Sequence, residues 1–67
     1  MTQDADLRRY RRNHAEERDS AALYAAMAGS DTDSHHAALY RRLAEEEAAH
    51  AAFWADRLAQ AGGGPVD

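Results

Sequence analysis

Cysteine is absent from this 67-residue chain. That excludes disulfide staples and every thiolate metal site. Lysine and isoleucine are missing as well, so all eight basic residues are arginine. With so much alanine, this bias points to a GC-rich, bacterial genome and carries no functional information. No run of about 18 apolar residues occurs, so nothing in the sequence reads as a bilayer span. The N-terminus lacks the apolar stretch of a signal peptide. A net charge of −4 argues against general nucleic-acid binding.

Large apolar side chains are scarce too. Hydrophobic residues make up 45% of the chain, but most of them are alanine. The bulky ones are five leucines, Tyr10, Tyr24, Tyr40, Met27, Phe53 and Trp54. A domain this short buries only about 60% of its unfolded surface and is marginal alone. Without disulfides, the remaining supports are a bound metal or oligomerisation. Alanine-rich faces suit close packing against a partner helix.

What is present reads as helix. Segments rich in Ala, Arg, Leu and Glu, all good helix formers, span about residues 4–28 and 33–60. Gly29 is the expected stop of the first, and GSDTDS supplies turn chemistry. Asp33 is the expected N-cap of the second, with Ser30 the competing choice. No strand-like alternation and no clear repeat appears. The organisation is therefore one helical unit over 1–61, followed by a flexible tail or linker over 62–67. A short turn between two long helices gives an antiparallel hairpin.

Both helices carry an apolar stripe at 3-4 spacing. In the first it selects Leu7, Tyr10, His14, Glu17, Ala21, Tyr24 and Ala28. In the second it selects His36, Tyr40, Leu43, Glu47, His50, Trp54, Arg57 and Ala61. Leu23 and Met27 form a weaker second stripe on the first helix. Each main stripe has ionisable residues at its centre. A buried, unpaired carboxylate costs several kcal/mol or shifts its pKa, so an arginine, a shared proton or a cation must compensate.

The spacing favours the cation. Glu47 and His50 form Glu-x-x-His, an i, i+3 pair on one helix face. Di-iron and di-manganese bundles use one Glu from each of two helices and Glu-x-x-His from each of the other two. This chain holds half of that set: Glu17, Glu47 and His50. Glu17 and Glu47 each stand about 14 residues from the turn, or about 21 Å along the helix, so they lie level. A two-fold dimer repeats every ligand and completes the set. Oxygen and nitrogen donors without sulfur suit iron, manganese or zinc. The carboxylate-rich set favours iron, two per dimer, reacting with dioxygen or peroxide.

The stretches YRRNHAEERDSAALYAAMA and ALYRRLAEEEAAHAAFWADRL resemble the small ferritin-like, rubrerythrin-type domain found N-terminal to some vacuolar-iron-transporter-type membrane proteins. The metal motif is also similar to that of the encapsulated ferritins, two-helix chains that pair to build a ferroxidase site. The resemblance covers roughly residues 8–60. It implies an all-α hairpin dimerising into a ferritin-like four-helix bundle, or larger assemblies of such dimers. It assigns Glu17, Glu47 and His50 as metal ligands and catalytic residues of Fe(II) oxidation, in iron storage, detoxification or transport. It also implies a cytoplasmic setting, at the inner face of a membrane beside an iron transporter or inside an encapsulating shell. The alternative is a non-catalytic sensor or delivery module for iron or manganese.

Around this set, His14 and Glu46 are the candidate extra ligands, and Tyr24 and Tyr40 the candidate partners of the ligand carboxylates. Core packing is the competing role for His14, Tyr24 and Tyr40, and solvation that for Glu46. Trp54 reads as core. Asp31, Asp33, His35 and His36 cluster at the turn, where capping and solvation explain them and a weak metal site is the alternative. Arg8, Arg9, Arg11 and Arg12 read as a solvated face, or as a contact for an anionic membrane.

Overall fold

The computed structural model describes residues 2–63. The last part of the expected tail, 64–67, lies outside them. Two α-helices account for almost the whole described chain: α1 (Thr2–Ser30) and α2 (Ser34–Gln60). They pack antiparallel as a rod of 49 × 17 × 14 Å, and no strand occurs among the described residues.

The turn between them is tight and built from side chains. Asp33 caps α2, its Oδ1 accepting from the backbone N–H groups of His35 (2.9 Å) and His36 (3.0 Å). Asp31 accepts from the Asp33 N–H at 2.8 Å. Gly29 does not stop α1. The helix runs through it to Ser30, where the Asp31 N–H still reaches the Met27 carbonyl at 3.0 Å. Asp31 and Asp33 take the chain out of α1 and into α2, so no left-handed glycine is needed there. The far end of α2 does use one. Gly62 has φ +81°, the Gly62 N–H reaches the Ala59 carbonyl (3.1 Å) and the Gly63 N–H that of Leu58 (2.8 Å). This is a Schellman stop. Gly63 lies so close to Leu58 and Leu7 that a Cβ would collide with both.

The α1 seam follows the expected stripe. Tyr10, His14 and Ala28 are buried, and Leu7, Glu17, Ala21 and Tyr24 half-buried. The α2 seam does not. It buries Ala37, Ala51 and Leu58, with Tyr40, Leu43, Ala44, Glu47, Trp54 and Ala61 half-buried, while His36, His50 and Arg57 are exposed. The expected stripe and the observed one share Tyr40, Leu43, Glu47, Trp54 and Ala61 and differ at His36, His50 and Arg57, whose places are taken by Ala37, Ala51 and Leu58. The packed flank is the alanine one, because small side chains let two helices approach closely. Leu58, absent from the expected stripe, has no exposure at all.

This leaves apolar surface beside the seam. Leu39, Phe53 and Leu23 are 44%, 52% and 60% exposed, and Leu43 and Met27 half-buried. A right-handed helix turns about 100° per residue. Leu39, Leu43, Glu46, His50 and Phe53 therefore lie about a quarter-turn to one flank of the α2 seam. In the antiparallel α1, the same side of the hairpin carries Asn13, Ser20, Leu23 and Met27. The hairpin has one open, partly apolar face, and His50 stands on its edge. No described helix is long and apolar enough to cross a membrane.

Candidate metal centre

Glu17 of α1 and Glu47 of α2 meet across the seam halfway along the rod, as their equal separation from the turn requires. His50, one turn after Glu47, reaches over both from the open side. Its Nδ1 lies 3.4 Å from Glu17 Oε2 and 3.4 Å from Glu47 Oε1. One donor atom from each of the three residues falls within 4.8 Å of the others. The carboxylates are largely covered, whereas the His50 side chain is 59% exposed.

The electrostatics of this cluster are unbalanced. Glu17 Oε2 is buried and accepts no hydrogen bond. Two ionised carboxylates have no proton to offer each other. Glu47 is held above the ordinary carboxylate range, chiefly by its hydrogen-bonding contact with Glu17. Burial and the Glu17 charge add to the rise, and His50 opposes it. A shared proton or a cation relieves the same strain. Two hard oxygens and a borderline nitrogen form a donor set that fits a divalent transition ion. Three donors fill only part of a four- to six-coordinate shell.

The remaining candidates lie elsewhere. His14 is buried, 9% exposed, and stands outside the three-residue cluster. Glu46 is exposed and also outside it. Tyr24 and Tyr40 stack on each other with centroids 6.3 Å apart, and among the described residues no hydrogen bond joins either hydroxyl to the cluster. Trp54 stacks on Tyr10 at 5.7 Å and meets Phe53 edge-on at 5.0 Å. At the turn, His36 Nδ1 lies 3.9 Å from Asp31 Oδ2, with Asp33 occupied as a cap. Sequence reasoning passed over one constellation: Arg57 over the Tyr10 ring, two turns beyond His50. Its position on the expected stripe was the available signal.

No protein-family model, curated protein or solved structure matches the chain.

Proposed function

We propose that this chain is an iron-binding, ferritin-like domain whose two-iron site is completed by a second copy of itself, and that it oxidises Fe(II) to Fe(III). The observation that carries the reading is the convergence of Glu17, Glu47 and His50 around one buried carboxylate oxygen that accepts no hydrogen bond. The open face supports the dimer. It carries exposed Leu23, Leu39 and Phe53, and the cluster reaches its edge through His50. Two copies joined there would bring together four carboxylates and two imidazoles, the ligand count of the di-iron carboxylate bundles.

In this reading Fe(II) is the substrate. Two Fe(II) ions each give one electron to dioxygen, which takes up two protons and leaves as hydrogen peroxide, with two Fe(III) remaining. Glu17 and Glu47 supply the negative charge that favours the trivalent product. His50 supplies the nitrogen donor through its neutral imidazole. The cytoplasm or a protein compartment is the setting we assign, with an iron transporter or an encapsulating shell as the recipient of the iron.

Anaerobic Fe(II) titration followed by exposure to air tests this. Binding should saturate at about one iron per chain, and near-ultraviolet Fe(III) absorbance should grow on aeration. Glu47→Ala should abolish both. Failure to saturate, or an unchanged response in Glu47→Ala, would sink the reading. Oxidation that stops after one equivalent would favour a sensor or delivery module over an oxidase.

A further inference from the structure

Near the open end of the rod, about 10 Å beyond His50 along α2, lies a cleft of about 290 Å³ lined by Tyr10, Arg57, Gln60 and Ala61. We propose that this cleft binds a small oxyanion of the phosphate type.

Arg57 carries the argument. Its guanidinium lies over two aromatic rings, 5.6 Å from the Tyr10 centroid and 5.9 Å from that of Phe53. Among the described residues its guanidinium makes one hydrogen bond, a long one donated to Tyr10 Oη at 3.5 Å. No carboxylate among the described residues comes within ion-pair distance of it. A guanidinium has five N–H donors. Aromatic faces orient it and partly desolvate it without using those donors. Arg57 is therefore a fixed cation with donors to spare, in a chain whose net charge is −4.

The surroundings add to it. Arg9 lies over the same Tyr10 ring at 5.4 Å. Its partner Asp6 is 3.6 Å away in an exposed i, i+3 pair, weak enough to exchange for another anion. Tyr10 is 7% exposed, and its hydroxyl oxygen accepts from Arg57, which leaves its own hydrogen to donate. Arg57, helped by Arg9, holds the Tyr10 phenol below its ordinary pKa despite the opposing effects of burial and of the Asp6 charge. Gln60 is a further polar residue of the wall. The Arg57 guanidinium, the Tyr10 phenolic O–H and Gln60 at the wall, with the Arg9 charge over the same Tyr10 ring, match a dianion with several oxygens better than a monovalent carboxylate.

The assignment stands apart from the metal reading and is tested without it. Phosphate is titrated into the metal-free protein, in chelator at low salt, and followed by calorimetry and by the arginine side-chain N–H signals in NMR. Saturable binding should move the Arg57 signal first. Arg57→Gln should weaken it at least tenfold and Tyr10→Phe severalfold, since that variant keeps the ring stacked on Trp54. Arg12→Gln, on the exposed side of α1, should leave it unchanged. Circular dichroism establishes that each variant is folded. Glycerol phosphate as a second probe separates the sources: the tighter ligand identifies free phosphate or a phosphate ester as the natural occupant, and either upholds the site. Absence of saturation, an unchanged affinity in both Arg57→Gln and Tyr10→Phe, or an equal response to acetate would overturn it.

Discussion

Glu47 is the residue on which fold and chemistry conflict most directly. Its carboxyl is raised above the ordinary value in the folded chain. A raised acid binds its proton more tightly when folded, so stability is full below the unfolded value and declines as pH rises through the folded one. The metal-free protein should thus lose stability as pH climbs from the ordinary carboxylate range toward neutrality. Glu47→Gln should flatten that slope and make the metal-free chain more stable at neutral pH, while removing metal binding. Denaturant titrations across pH in chelator measure both. A steeper slope in Glu47→Gln would refute the account. With metal present the order should reverse. Wild type should gain about 2.7 kcal/mol at a hundredfold excess over Kd, and Glu47→Gln nothing. The clustering of Glu17, Glu47 and His50 was readable in the sequence because Glu-x-x-His is a local pattern and the short turn fixes the level of Glu17. The field around Arg57 was not, because it depends on Tyr10 packing against a residue 47 positions away.

At the scale of the element, the helices and their turn were legible from propensity and capping chemistry. The phase of the α2 seam was not. Either flank of the shared column completes a 3-4 pattern, so on periodicity His36, His50 and Arg57 count as well as Ala37, Ala51 and Leu58. Close approach of the backbones decides in favour of the second set, and sequence periodicity does not report it. Gly29 was misread for a related reason: side-chain capping by aspartates made a glycine stop unnecessary. Two glycine substitutions should therefore act in opposite directions. Gly29 is helical and a Cβ there meets open space, so Gly29→Ala should stabilise by about 0.5–1 kcal/mol. Gly62 has φ +81°, and Gly62→Ala should cost about 1–2 kcal/mol. Thermal melts of the two variants side by side check this. Leu58→Ala, at a fully covered side chain, should cost about 2–5 kcal/mol, enough to unfold a chain this small.

For the whole molecule, the scarcity of bulky apolar residues has a visible outcome. The hairpin buries few of them and leaves Leu23, Leu39 and Phe53 on its surface. Exposed apolar side chains gathered on one face mark an interaction surface. Analytical ultracentrifugation should therefore find a dimer or larger. Phe53→Asp, or Leu39→Asp, should shift the chain to monomer and loosen its metal. A wild type that stays monomeric at high concentration, with undiminished metal binding, would refute the shared site.

Tyr40, Glu47, Trp54 and Ala61 stand seven residues apart on the border between the packed seam and the open face. Seven residues fall about 20° short of two full helical turns, so this column stays on that border for the length of α2. Each of its members answers to two neighbours at once. In a saturation mutagenesis screen, these four positions should tolerate the narrowest range of side chains. Ala37, Ala44 and Ala51 should reject bulk alone, and His36, Leu43 and Arg57 should show defects only when the readout is assembly or ligand binding rather than folding.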